Sequence, residues 1–203
     1  NGTIERRVPF AKSCCTYYDP KRLSNLTDQF LLLKFRFGQN PRYFEDYIVD
    51  VRGILKFSEE VKRNGSQLLF SLKNYSESMC IHVRMGDFVI RRISTDMNIT
   101  VEAANKIAKK MVCSSHFMIF GDDKKFMTNM SRNIVNSGGW KDDLLAISKY
   151  KDYLDLFLAS QLCSSFLITA ATSTFGWWLA FFVQNQNAVY YLNDTRRHAD
   201  KVP

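Results

Sequence analysis

From residue 78 to residue 191 the chain alternates short apolar runs with longer segments of helical period. A mostly apolar run at 80–83 breaks into polar Arg84-Met85-Gly86-Asp87. A helical period follows over 101–111. A second apolar run at 117–120 ends in Gly121-Asp122-Asp123, ahead of another helical segment with Asp122 or Asp123 near its N-cap. The pattern then predicts a strand at 144–147, a helix at 153–162, a strand at 166–169, a helix at 173–183 and a last strand at 188–191. Strands and helices in strict alternation predict an α/β fold: a Rossmann-like, doubly wound parallel sheet with flanking helices. Ligands in such sheets bind beyond the C-terminal ends of the strands.

Upstream the pattern is looser. Residues 1–22 are polar, with turn residues and little period. Over 41–63, Phe44, Ile48, Val51, Ile54, Leu55 and Val61 recur at roughly helical spacing, which predicts one amphipathic helix. Pro41 suits its first turn and Gly65 its end, with 35–41 a turn leading in. The change of pattern places a domain boundary between 77 and 78.

Composition adds the compartment. Seven Asn-x-Ser/Thr triplets occur, at Asn1, Asn25, Asn64, Asn74, Asn98, Asn129 and Asn193. With 13 Asn and 27 Ser plus Thr in 203 residues, about two would be expected by chance. Asn and Ser/Thr also share turns, but the excess points to N-glycosylation and folding in the endoplasmic reticulum. The longest apolar run, 175–183, is too short to span a bilayer and reads as a buried helix. A lumenal chain that opens on Asn is expected to be a piece of a longer polypeptide whose leader or anchor lies outside it.

The formal net charge is +8, but the basic residues are scattered in pairs such as Arg91-Arg92 and Lys124-Lys125, with no tract of five. That pattern and the lumenal reading argue against nucleic acid as a partner; an anionic small substrate would need one or two of these side chains. Five cysteines (Cys14, Cys15, Cys80, Cys113 and Cys163) leave an odd thiol, and none shows metal-ligand spacing. Cys163, in an apolar stretch, reads as a buried thiol. His82, His116 and His198 are too dispersed for a zinc site.

Three strand ends carry chemistry. Arg84 offers a planar fork of donors suited to phosphate, or else a local ion pair in a surface turn. Asp122-Asp123 suits a helix cap, a ribose contact or, weakly, a metal pair. Thr172-Ser173-Thr174 precedes an apolar helix: a cap first, and also an anion site. Asp87 is the nearest candidate base, with a turn-stabilising role as the alternative.

These segments resemble the α1,2-fucosyltransferases, within the α1,2/α1,6/protein O-fucosyltransferase superfamily. His82-Val83-Arg84-Met85-Gly86-Asp87-Phe88 is similar to the family's H-x-R-R-G-D-[YF], and Phe117–Gly121 with Asp122-Asp123 to its [FY]-[SG]-D-D segment. Asp155-Leu156-Phe157-Leu158-Ala159-Ser160, followed by Ser173-Thr174-Phe175-Gly176-Trp177-Trp178, resembles D-x-x-L-M-S…S-T-F-S-W-W. Gly38-Gln39-Asn40-Pro41-Arg42-Tyr43-Phe44 is weakly like the upstream G-[YF]-F-Q-S-x-K-Y-F. The resemblance implies a GT-B-type, metal-independent, inverting transfer of fucose from GDP-fucose to a galactose 2-hydroxyl, or a similar one, of a glycan acceptor. It implies residues 78–203 as the GDP-sugar domain and 1–77 as the remainder of an acceptor-side region with a linking helix. It also implies the Golgi lumen and a single-pass anchor N-terminal to this chain.

By the same resemblance Arg84 holds the donor phosphate, Asp155 pairs with guanine, and Ser173, Thr174 and Phe175 contact the nucleotide; His82 faces the ligand. Met85 departs from the motif, since the second arginine is missing. Restoring it would add charge beside the phosphate if the position faces the ligand; if it faces the sheet, the charge would be buried.

Overall fold

A computed structural model of the chain describes residues 5–11, 16–34, 40–111 and 116–194. Its contacts divide into two compact units, 1–56 with 195–203, and 57–194. In the first unit β1 (Glu5–Pro9) pairs in parallel with β2 (Phe30–Lys34), Glu5 standing opposite Phe30. β1 is mostly polar; β2 holds a short apolar run, Phe30 to Leu33, absent from the predicted elements, and its positions alternate between exposed and half-buried. Two short 3₁₀ turns, at 41–43 and 45–47, lead into α1 (Ile48–Ile54).

The single helix predicted over 41–63 is therefore broken. Leu55 leaves the helical region (φ −81°, ψ 71°). Ser58 then starts α2 (Glu59–Ser71), its hydroxyl accepting from the Val61 N–H at 3.3 Å with Glu59 and Glu60 in the first turn. Gly65 does not end this helix.

The second unit runs on through β3 (Ser78–Val83), α3 (Gly86–Ile90), α4 (Met97–Lys110), β4 (Phe117–Gly121), α5 (Lys124–Gly138), β5 (Leu145–Ile147), α6 (Asp152–Leu162), β6 (Cys163–Ile168), α7 (Thr174–Phe182) and β7 (Val189–Tyr191). Gly65 is buried where α2 crosses α6: a Cβ there would stand 2.1 Å from Cδ1 of Phe157, so only glycine allows this approach.

The five strands are parallel in the order β5-β4-β3-β6-β7, with Ile81 opposite both Ile119 and Leu167. This is the expected Rossmann-like sheet, and its strand order reverses between β3 and β6. Alternate residues face opposite layers, as the pleat requires. Met79, Ile81 and Val83 pack with Val101, Ala104, Met127 and Ile134 under α4 and α5. Cys80, Phe120 and Phe166 pack with Leu158, Ala159 and Leu179 under α6 and α7.

Cys163 is not a free thiol: it is bonded to Cys80 across β3 and β6, Cα to Cα 5.5 Å. The two strands are neighbours, Ser78 lies opposite Cys163, and Cys80 and Cys163 belong to the same face's core. Cys14, Cys15 and Cys113 lie outside the described residues.

Candidate functional site

The C-terminal ends of four adjacent strands form one polar row. Ser148 and Asp155 lie beyond β5, Asp122 beyond β4, Arg84 to Asp87 beyond β3, and Thr169 to Ser173 beyond β6. At about 4.8 Å per strand, β5 and β6 stand about 14 Å apart. The reversal of strand order places the centre of the row between Arg84 and Ser173.

Arg84 is the first residue past β3 and stays one-third exposed, at 33%. Its Nη2 donates to Asp87 Oδ1 at 2.8 Å, and its Nη1 lies 3.2 Å from Asp122 Oδ2. The guanidinium also sits 5.3 Å from the Phe88 ring centroid. Asp87, on the first turn of α3, reaches Arg91 Nη2 at 3.8 Å as well. The candidate base is thus a carboxylate shared between two guanidinium groups.

The Asp122-Asp123 pair splits. Asp122 Oδ1 accepts from the Met85 N–H at 2.8 Å, while Asp123 Oδ1 accepts from the Phe126 N–H at 2.9 Å and is the N-cap of α5. Among the described residues no group of three or more His, Cys, Asp or Glu side chains is gathered as for a metal ion.

Met85 faces inward. Its side chain is half-buried and packs on the core cluster of β3, β4, α4 and α5. An arginine there would have to bury its charge or displace that packing. Met85→Arg is accordingly expected to lower the melting temperature, at about 1–3 kcal/mol for a buried polar group, with no gain in donor affinity. Measuring donor KM and Tm together checks this; a lower KM at unchanged Tm would show that the position faces the ligand.

His82 is fully buried, at 0% exposure, and its ring packs against the first turn of α7 at Gly176. Nε2 lies 3.4 Å from Ser173 Oγ, and Nδ1 finds no partner among the described residues. Burial, and then the Arg84 charge, push its pKa down to about 3, so the imidazole is neutral. His82 is a core residue beneath the site and not part of its surface. Ser173 caps α7, its Oγ accepting from the Gly176 N–H at a long 3.4 Å. Thr174 is exposed at the first turn; Phe175 is half-buried, turned toward His82 with ring centroids 6.2 Å apart.

Two buried hydroxyls, absent from the sequence reading, tie these loops together. Thr169 Oγ1 donates to the His82 carbonyl at 2.5 Å and lies 2.7 Å from Thr95 Oγ1. Thr95 Oγ1 accepts from the Arg84 N–H at 2.8 Å, and the Thr95 N–H returns to the Arg84 carbonyl at 3.0 Å. Thr169 was findable as the first polar residue past a buried strand; Thr95 carries no signal in its neighbourhood.

Asp155 stands at the far end of the row, buried in the first turn of α6, and accepts a hydrogen bond from the Ser148 hydroxyl. Burial raises its pKa from 3.8 to about 7; the Ser148 hydrogen bond pulls it down and Asp152 pushes it up. Of the glycosylation triplets, Asn25, Asn74, Asn98, Asn129 and Asn193 are exposed, Asn64 is half-buried, and Asn1 lies outside the described residues.

A family model described as glycosyl transferase family 11 matches residues 25–202. A putative glycosyltransferase of Caenorhabditis elegans is 29% identical over 204 residues, covering 91% of this chain and 52% of the relative. A putative galactoside 2-alpha-L-fucosyltransferase of the same organism is 28% identical over 201 residues, covering 95% and 54%. A further relative there, a galactoside 2-alpha-L-fucosyltransferase, is 28% identical over 194 residues, covering 91% and 52%. The chain spans about half the length of the curated relatives it matches.

Proposed function

The chain belongs to glycosyl transferase family 11, and from that premise we propose that it carries the donor site of an inverting fucosyltransferase. The donor is GDP-fucose, and the acceptor is the 2-hydroxyl of a galactose or a similar sugar on a glycan. The observation that carries the reading is Arg84, projecting from the end of the central strand at the point where strand order reverses. The names of the relatives supply the sugar and the acceptor class. In this reading the chain is the nucleotide-binding half of a GT-B-type enzyme. The excess of Asn-x-Ser/Thr triplets, most of them exposed, supports the Golgi lumen. Among the described residues no helix is long and apolar enough to cross a membrane.

The chemistry follows from charge. As GDP leaves, negative charge develops on its β-phosphate, and donors aimed at that position lower the barrier. Arg84 supplies a fork of N–H donors, and the N-terminus of α7 supplies further backbone donors across the switch point. Asp155, buried and with Oδ1 accepting from Ser148, is in this reading the carboxylate that would accept from the N1–H and N2–H₂ donors of guanine. Asp87, once the diphosphate has displaced it from the Arg84 guanidinium, is in this reading the base that takes the acceptor hydroxyl's proton.

The test is a donor screen on the full-length protein, comparing GDP-fucose with GDP-mannose for hydrolysis and for transfer to galactosides. Fucose transfer is expected; transfer of another sugar only would overturn the reading. With Arg84 and α7 neutralising the diphosphate, activity is expected to survive EDTA, and a loss that Mn²⁺ restores would contradict this. A second reading is a non-catalytic or weakly active glycan- or nucleotide-binding relative, raised by the motif's missing second arginine, although Met85 in its place packs on the core and not toward the ligand. GDP binding with no transfer to any acceptor would establish it.

A further inference from the structure

Two successive backbone N–H groups past β3 are taken by side chains from other elements. The Arg84 N–H goes to Thr95 at 2.8 Å and the Met85 N–H to Asp122 Oδ1 at 2.8 Å. The other oxygen of Asp122 pairs with Arg84 Nη1 at 3.2 Å. It also lies 2.8 Å from where a Cβ at Gly86 would stand, so a side chain there would push the carboxylate aside. One carboxylate from the end of β4 therefore holds a guanidinium, a backbone N–H and a glycine, all on the loop that follows β3.

The other partner of Arg84 is held differently. Asp87 is 48% exposed against 26% for Asp122, and it is shared with Arg91 at 3.8 Å. A carboxylate already fixed by a backbone N–H gives up little further rotamer freedom on pairing, whereas an exposed one gives up more. Asp122 is the fixed partner and Asp87 the displaceable one.

We propose that Asp122 is a positioning residue that acts through Arg84, fixing the guanidinium so that the Nη2 edge now on Asp87 is the one offered to the donor diphosphate. In this role Asp122 contacts neither a ribose nor a metal ion. The inference rests on the reading above that Arg84 binds the diphosphate.

Asn at 122 keeps an oxygen for the Met85 N–H but turns its N–H₂ toward Arg84, so D122N removes both the charge and the acceptor that face the guanidinium while keeping the bond to the loop backbone. The experiment measures GDP affinity by calorimetry, donor kcat and KM, and Tm for wild type, D122N, D122E, R84K and the R84K/D122N double variant. D122N is expected to melt near wild type, to bind GDP about tenfold more weakly, the scale of one charge-assisted hydrogen bond, and to lose kcat as well. Glu restores the charge and is expected to recover part of the loss. Lysine has no planar fork to orient, so D122N in the R84K background should change GDP affinity less than about twofold. An equal loss in both backgrounds would mean that Asp122 touches the ligand itself. No loss in the wild-type background, or D122E no better than D122N, would also overturn the proposal. If wild type fails to bind GDP, the site reading falls and this inference with it; if wild type binds and D122N is neutral, only the inference falls.

Discussion

Arg84→Ala is expected to lower donor kcat/KM by at least about a hundredfold while leaving the fold intact. Two charge-assisted hydrogen bonds from one fork are worth about 1.5–3 kcal/mol each, together about 10²–10⁴ in rate or affinity. The cost to folding is small because the two ion pairs Arg84 makes are partly solvated: it is 33% exposed itself, and its partners are 48% and 26% exposed. Asp122 keeps the Met85 N–H, and the Arg84 backbone stays pinned by Thr95. Arg84→Lys keeps the charge without the fork, and is expected to recover little. A transfer assay beside a thermal melt separates the two effects. An Ala variant that transfers fucose at near the wild-type rate would mean that the arginine is only the surface ion pair its neighbours already make it.

What was legible followed from burial. Runs such as 80–83, 117–120 and 166–169 are buried on both faces, so they stand out as short apolar strands, and helices between them fix a parallel sheet. β1 lacks that signature, being mostly polar; β2 carries four apolar residues in a row, Phe30 to Leu33, but in a stretch with no neighbouring strand–helix alternation to mark it. The break at 55–58 was partly legible: Ser58-Glu59-Glu60 is a helix start, but a continuing apolar spacing through Leu55 and Val61 masked it. The disulfide between Cys80 and Cys163 depends on which strands are neighbours, and sequence separation of 83 residues says nothing about that. The same holds for the site. Arg84, Asp122 and Ser173 could be placed at strand ends. Their roles toward one another (Asp122 as clasp, Asp123 as cap, His82 as buried support, Met85 as core) arise from the sheet's register and from how far each loop turns.

Asp155→Asn is expected to raise stability at neutral pH and to weaken GDP binding, two effects of one buried carboxylate. The unfolded value of 3.8 and the folded value of about 7 mean that the folded state holds the proton more tightly. Its contribution to stability is therefore full below about pH 4 and is lost as pH rises through about 7, a swing of roughly 4 kcal/mol. Asn cannot ionise. It still accepts from Ser148, while burying its N–H₂ offsets part of the gain. D155N should thus melt a few degrees above wild type at pH 8 and no higher at pH 4. Guanine reverses the preference, since two donors require the ionised form. In the wild type, GDP affinity should rise with pH up to about 7 and binding should release a proton below it. In D155N the affinity should be ten- to a hundredfold lower and flat with pH, on the scale of a hydrogen bond to a buried charged group. Melts and calorimetry at pH 5, 6, 7 and 8 decide it. A variant that binds GDP as tightly as wild type at every pH would reduce Asp155 to a helix residue satisfied by Ser148. A variant that is stabilised at pH 8 and loses GDP would show that a strained carboxylate is kept at this strand end for its ligand and against the stability of the fold.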